Sequence, residues 1–140
     1  MRIRTALVLA LLAATATAGT GRQDGPKKDA AEVHIKGDNA DETLARKAPP
    51  SGVIVSTKGW EALAKAWGIT DAPKVDFEKT LLTVATTRGG RLNLTPQVKD
   101  GDLKVVAIST RDLRPGFRYE IVSVPRAGVK TVNGQPLPKE

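Results

Sequence analysis

One helical stripe of large apolar residues limits what this chain can fold into. The positions i, i+3, i+4 and i+7 of an amphipathic helix are occupied by Trp60, Leu63, Ala64 and Trp67. Such a helix must cover another apolar surface, so anchoring on a sheet explains both tryptophans better than a sugar-stacking role. Gly68 suits the left-handed position that ends a helix. The stripe predicts one helix packed on a sheet.

The sequence after this helix indicates short strands joined by tight turns. Four segments are β-branched or alternate between apolar and polar residues, namely 80–87, 92–99, 103–110 and 118–124. Their connections are too short for the crossover that neighbouring parallel strands require. With the β-branched run 53–55 before the helix, the sequence predicts an α+β fold. We expect an antiparallel meander of about four to six strands with one amphipathic helix packed on one face.

Turn residues refine this meander. We expect Gly89-Gly90 and Asp100-Gly101 to turn hairpins and Asn133-Gly134 to turn the chain near its end. Residues 114–117, Arg-Pro-Gly-Phe, fit a type II turn, with proline and glycine at its two central positions. Pro96 cannot donate a ladder hydrogen bond, which predicts that its strand lies at an edge or carries a bulge.

The first 18 residues have the three parts of a secretory signal peptide. Arg2 and Arg4 precede an apolar run over 6–14, and the small residues 16–18 follow. The run is too short to cross a bilayer as a helix, which takes about 20 residues, although a buried N-terminal helix is an alternative. We expect an exported mature chain without a transmembrane segment, located in the periplasm, the cell envelope or outside the cell.

Composition divides the rest of the chain into two parts. Residues 19–50 are polar, with few large apolar side chains, and predict a flexible linker that ends at Pro49-Pro50. Within it, the alternation over 32–36 leaves open one added strand. Residues 51–140 form the predicted domain and carry fourteen basic against nine acidic residues, so the positive excess of the mature chain lies there.

The residues offer little for catalysis. The chain has one histidine, His34 in the expected linker, and no cysteine, so stability must come from packing rather than disulfides. A serine hydrolase elbow and a His-Glu-x-x-His zinc motif are both missing from the sequence. We therefore expect a protein that is not an enzyme and that takes no metal and no cofactor.

Four arginines form the one constellation with a binding chemistry. In a meander, Arg88 and Arg91 at the glycine turn would share one end of the sheet with Arg111 and Arg114. Arginine binds carboxylates and phosphates with two parallel hydrogen bonds. The sequence predicts an electropositive patch there, and the alternative is a solvated loop rim without a ligand.

The order of these segments resembles a known family. A strand, the tryptophan helix, Val75-Asp76-Phe77, a strand, the glycine pair, two further strands and the late segment 119–125, Tyr-Glu-Ile-Val-Ser-Val-Pro, are similar to the C-terminal domain of the protease-complex subunit PrcB. The resemblance covers residues 53–126. A group of short exported bacterial proteins of unassigned function is also similar, through segments like 115–119 and 127–134. The resemblance implies an exported accessory domain that binds and stabilises an extracellular protease.

Three functions remain open at this point. The first is a non-enzymatic binding or accessory domain that docks on an exported protein, such as a protease, or on an acidic envelope polymer. The second is a purely structural domain with no ligand, and the third is an enzyme with an unrecognised site. Nucleic acid is not an expected partner, because export separates the chain from it and only five aromatic residues are present.

Overall fold

The computed structural model describes residues 32–139, so the predicted signal peptide and residues 19–31 lie outside the described part. The eight described strands are β1 His34–Asn39, β2 Val53–Ile54, β3 Thr80–Gly89, β4 Leu92–Lys99, β5 Asp102–Ser109, β6 Leu113–Pro125, β7 Thr131–Val132 and β8 Gln135–Pro136. A 3-10 helix spans Glu42–Lys47, and the single α-helix of this part, α1, spans Thr57–Trp67. Within residues 32–139, no helix is both long and apolar enough to cross a membrane.

The strands form two four-stranded sheets rather than the single meander predicted from sequence. The first sheet has the order β1-β6-β3-β2 and is antiparallel throughout. The second has the order β4-β5-β7-β8, with one short parallel pairing between β5 and β7. The α+β class is confirmed, whereas the strand number is larger than predicted and the chain leaves the first sheet between β3 and β4.

Helix α1 packs on one face of the first sheet as its stripe predicts. Ser56 caps the helix start by accepting from the Gly59 N–H, and Gly68 ends it in the left-handed conformation at φ 70°. The buried face meets the aromatic side chains of β6, with the Trp67 ring 5.4 Å from Phe117 and 4.7 Å from Tyr119. These contacts make the larger of the two apolar clusters.

The second sheet covers the opposite face of the first. Side chains alternate along β6, so Phe117 and Tyr119 point to α1 while Glu120 and Val124 point to the other side. A smaller apolar cluster fills that side and includes Leu103 of β5. The molecule therefore has three layers, with the first sheet in the middle.

The linker predicted for residues 19–50 does not match the structure from residue 33 onward. Strand β1 pairs along its whole length with β6, and Val33 is buried. Leu44 of the 3-10 helix packs against the larger cluster and accepts a hydrogen bond from Trp67 Nε1 at 2.8 Å. The segment is ordered although it has few apolar residues, because its backbone forms hydrogen bonds along the edge of β6. The strand left open over 32–36 is present, and it extends to Asn39.

The predicted turns have different outcomes. Asp100-Gly101 and Asn133-Gly134 both have two successive positive φ values and turn the β4–β5 and β7–β8 hairpins, as predicted. Residues 114–117 do not turn the chain between two strands as predicted but form a bulge inside β6, because Thr87 pairs with Arg118 and Gly89 with Leu113. Gly116 has a φ of 73° there and lies against the Asn39 carbonyl, too close for any side chain. Pro96 lies in the edge strand β4, also as predicted.

Candidate functional site

The four arginines that the sequence singled out lie on two segments that the structure joins. The Gly90 N–H donates to Asp112 Oδ1 at 3.0 Å, and the Arg91 N–H donates to Thr110 Oγ1 at 3.0 Å. The Thr110 N–H in turn donates to the Arg91 carbonyl at 3.2 Å. The end of the molecule that carries Arg88, Arg91, Arg111 and Arg114 is called the arginine end below.

The reason for this convergence differs from the prediction. Gly89 and Gly90 do not turn a two-residue hairpin, because Gly89 pairs with Leu113 of β6 and the chain then crosses to the second sheet. A side chain at Gly89 would collide with the Thr110 carbonyl, and one at Gly90 would collide with the Asp112 carboxylate. The glycine pair is therefore needed for close approach of two segments rather than for positive φ values.

Two of the four arginines have carboxylate partners. Arg88 lies 3.2 Å from Glu42 of the 3-10 helix, and Arg114 Nε lies 2.9 Å from Asp112 Oδ2. Within residues 32–139, Arg91 and Arg111 form no ion pair. The arginine end therefore holds two uncompensated guanidinium groups.

Asp112 is the acidic residue that organises this end. Hydrogen bonds from the Thr110 hydroxyl, the Gly90 N–H and Arg114 hold the pKa of its carboxyl well below the ordinary range. Asp112 therefore stays ionised at neutral pH, and its charge is directed to the loop backbone and to Arg114. This arrangement fixes the loop without neutralising Arg91 or Arg111.

Exposed apolar side chains flank the loop of the arginine end. Every residue from 106 to 115 is exposed, and three of them are large and apolar, namely Val106 at 37%, Ile108 at 67% and Leu113 at 74% exposure. Exposed apolar groups beside arginines are typical of protein-binding surfaces, where arginine is enriched. The surface combines a charge that attracts acidic groups with apolar area that a partner can cover.

Glu120 is a second polar centre, which the sequence did not identify. Its carboxylate is 1% exposed and accepts from His34 Nε2 at 2.7 Å, from Lys36 Nζ at 3.2 Å and from the Leu94 N–H at 2.9 Å. Burial raises its pKa, but the three hydrogen bonds outweigh that effect and the pKa is lowered. These hydrogen bonds join β1 and β4 to β6.

The sequence shows on which face of β6 Glu120 lies, but it does not show that this face is buried. Alternation along β6 places Glu120 on the face opposite Phe117 and Tyr119, which a solvated sheet face would also explain. Only the second sheet, which covers that face, makes the carboxylate buried. The pairing of Lys36 with Glu120 across the ladder also required β1, which the sequence left open.

A separate groove lies between α1, β2 and the C-terminal residues, with a volume of about 330 Å³. Its lining is mainly apolar, and its ionisable side chains are Lys47, at the end of the 3-10 helix, and Lys139. The Ser56 hydroxyl in this groove already caps α1. In the described part of the chain, histidine, cysteine and acidic residues do not gather in threes as a metal site would require.

No family model, no curated protein and no solved structure matches this chain.

Proposed function

We propose that this chain is an exported, non-enzymatic binding domain whose arginine end docks on an acidic surface of another exported protein. The alternative partner is an acidic polymer of the cell envelope, which carries negatively charged groups of the same kind. The observation that carries the proposal is the pair of uncompensated guanidinium groups, Arg91 and Arg111, on two loops that hydrogen bonds join to each other. The periplasm, the envelope and the extracellular space are the expected locations, given the signal peptide predicted over residues 1–18.

The anchoring of the loop matters for affinity. Ordering a flexible loop on binding costs free energy, and a loop already held by Asp112 and Thr110 avoids part of that cost. Arg91 and Arg111 can each offer two parallel N–H donors to a carboxylate. The resemblance to the PrcB C-terminal domain supports an exported protease as the class of protein partner.

Four acids of the described chain have a lowered pKa; one of them, Asp41, caps the 3-10 helix through hydrogen bonds from Thr43, and the other three join separate segments. Asp102 accepts from the Gly134 N–H and Thr131, Asp112 fixes the arginine loop, and Glu120 fastens two strands. Each of these carboxyls has a lowered pKa because structural hydrogen bonds favour the ionised form. These hydrogen bonds give the carboxyls a structural role, which agrees with the proposal that the chain acts by surface-charge recognition.

The test uses a fluorescein-labelled decamer of glutamate as the probe and removes two charges at a time. We expect Arg91→Gln with Arg111→Gln to weaken binding about tenfold at low salt, because two surface ion pairs contribute roughly 0.5–1 kcal/mol each. The matched control, Lys58→Gln with Lys65→Gln on exposed positions of α1, should change affinity less than about twofold. Fluorescence anisotropy from about 50 to about 200 mM salt measures both.

Thermal unfolding completes this experiment. Both double variants should melt within a few degrees of the parent, since all four positions are exposed. An equal loss of affinity in the α1 control would mean that only net charge matters, and the arginine end would then have no special role.

A further inference from the structure

Strand β5 has one edge that the described fold leaves partly open. It pairs with β4 along its whole length, but on the other side β7 reaches only Asp102 and Leu103. The Leu103 carbonyl accepts from the Asn133 N–H at 2.9 Å, and the Val105 N–H donates to Asn133 Oδ1 at 3.1 Å. Asn133 therefore ends the ladder on this edge.

Beyond Asn133 the backbone groups face outward. Every second residue of a strand directs its N–H and C=O to the same side, so Ala107 and Ser109 point where Leu103 and Val105 point. Among residues 32–139, no backbone or side-chain hydrogen bond is formed on that side by either residue. Both residues are exposed, and they form an unpaired edge of about three residues.

The opposite edge of the same sheet, β4, is blocked at two central positions, in contrast to the β5 edge. On β4 the Leu94 N–H donates to Glu120, and Pro96 has no N–H to offer. Natural sheets block edges in this way because unpaired strands attract other chains. The β5 edge has no such protection, and it carries the exposed apolar residues Val106 at 37% and Ile108 at 67% exposure.

We propose that the partner adds an extended acidic segment as a new strand on the Ala107–Ser109 edge of β5. This inference rests on the proposed function, because it uses the arginine end to select an acidic partner. Lys104 and Arg111 bracket the open edge along the chain, and Arg91 lies across the ladder from Thr110. A segment with acidic residues at its ends and apolar residues beside Val106 and Ile108 is complementary to this surface.

Charge also decides between this partner and a second copy of the chain. Pairing β5 with β5 of another copy would bring two sets of Lys104 and Arg111 together on one short edge, and like charges across a ladder are unfavourable. The full sequence carries a net charge of +7, and the predicted mature chain, without Arg2 and Arg4, still carries +5, which adds to the repulsion. An acidic segment relieves both effects.

The experiment separates backbone pairing from charge. The probe is the peptide Ac-Glu-Glu-Val-Thr-Val-Glu-Glu-amide, and its control is the same peptide N-methylated at the three central residues. N-methylation removes backbone donors but keeps every side chain and charge, so strand addition predicts that affinity falls at least about tenfold. Calorimetric or anisotropy titration against the full mature chain gives both constants.

Protein variants and hydrogen exchange test the same edge. Ala107→Pro removes the outward N–H and should weaken the unmethylated peptide about tenfold, whereas Ala107→Val keeps that N–H and should bind like the parent. If Ala107→Pro fails to fold, exchange decides: in the parent chain, the peptide should protect the Ala107 and Ser109 amides and leave the exposed Lys58 amide unchanged.

The outcomes distinguish the two proposals. If both peptides bind equally and the double arginine variant binds neither, the arginine end stands and strand addition is overturned. If methylation abolishes binding and the arginine variant binds normally, strand addition stands and the proposed role of the arginines is overturned. Failure of the parent to bind either peptide overturns strand addition, and so does concentration-dependent dimerisation that protects Ala107.

Discussion

The two faces of the first sheet are held to their neighbours by different forces. The face under α1 is apolar and aromatic, and its indole N–H groups reach backbone carbonyls, Trp60 to Pro73 and Trp67 to Leu44. The face under the second sheet has a smaller apolar cluster and the buried carboxylate of Glu120. Apolar burial is larger on the first face, whereas on the other face a smaller apolar cluster is joined by a directed hydrogen bond between the sheets, from the Leu94 N–H to Glu120, which fixes the position of β4.

The two faces also differ in their proposed roles, because the helix face stabilises the fold and the other side carries the proposed binding surfaces. The open edge of β5 belongs to the second sheet, and Arg91 and Arg111 lie in the loops that join this sheet to the first, whereas Arg88 and Arg114 lie at the adjoining ends of β3 and β6. The apolar cluster and the hydrogen bond to Glu120 together hold the second sheet, and with it the edge of β5, in one position. The comparison predicts that damage to the helix face unfolds the molecule, whereas damage to the Glu120 centre loosens the second sheet first.

The largest effect is expected from Trp67→Ala. The change leaves a cavity beside Phe117 and Tyr119 and removes the hydrogen bond to the Leu44 carbonyl, so we expect a loss of about 3–5 kcal/mol of unfolding free energy. Urea unfolding followed by circular dichroism measures it. Lys65→Ala, at an exposed position of the same helix, should stay within about 0.5 kcal/mol. A loss near 1 kcal/mol at Trp67 would break the assignment of stability to this face.

Glu120→Ala should have an intermediate effect. It leaves the buried Leu94 N–H without an acceptor, which costs about 1–3 kcal/mol. Glu120→Gln retains one carbonyl oxygen and should lose less, and Glu61→Ala on the exposed side of α1 should lose almost nothing. Hydrogen exchange sharpens the test, because the β4 amides should lose protection before those of β3. Simultaneous loss in both strands would mean that the two faces are not independent.

The smallest effect is the pH dependence that Glu120 contributes. Its pKa in the folded chain lies below the ordinary value of 4.5, so the ionised form is favoured by folding. The resulting stability is fully present above pH 4.5 and is lost as the pH falls through the lowered value. We therefore expect the stability gap between the parent and Glu120→Gln to narrow from pH 6 toward pH 3 in urea titrations. A gap that stays constant would contradict this role of the carboxylate.

The sequence predicted those parts of the fold that depend on local chemistry. The stripe that contains Trp60 and Trp67 defines α1, and the dipeptides Asp100-Gly101 and Asn133-Gly134 define their turns. The glycine pair at 89–90 misled the prediction, because glycine serves both positive φ values and close approach, and only the tertiary structure distinguishes them. The prediction therefore missed the crossing of the chain from the first sheet to the second after Gly89.

The candidate site was predicted only in part, because some of its contacts also depend on the tertiary structure. All four arginines do lie at one end of the molecule, but the partners of Arg88 and Arg114 depend on the 3-10 helix and on Asp112. Glu120 and the open edge of β5 depend on which strands become neighbours, and such long-range pairing is not encoded in any short segment. Whether the arginine end binds a partner stays a prediction.

The pairing of β1 with β6 has a consequence for the order in which the chain can fold. His34 and Glu120 are 86 residues apart, and Val33 and Ser123 are 90 apart. Most of the chain must therefore be available before the first sheet can close, and contacts of such long sequence separation make folding slow. A chain that crosses a membrane end-first would stay open until nearly all of it had passed. An export machine that threads extended polypeptide would meet little resistance from a domain built in this way.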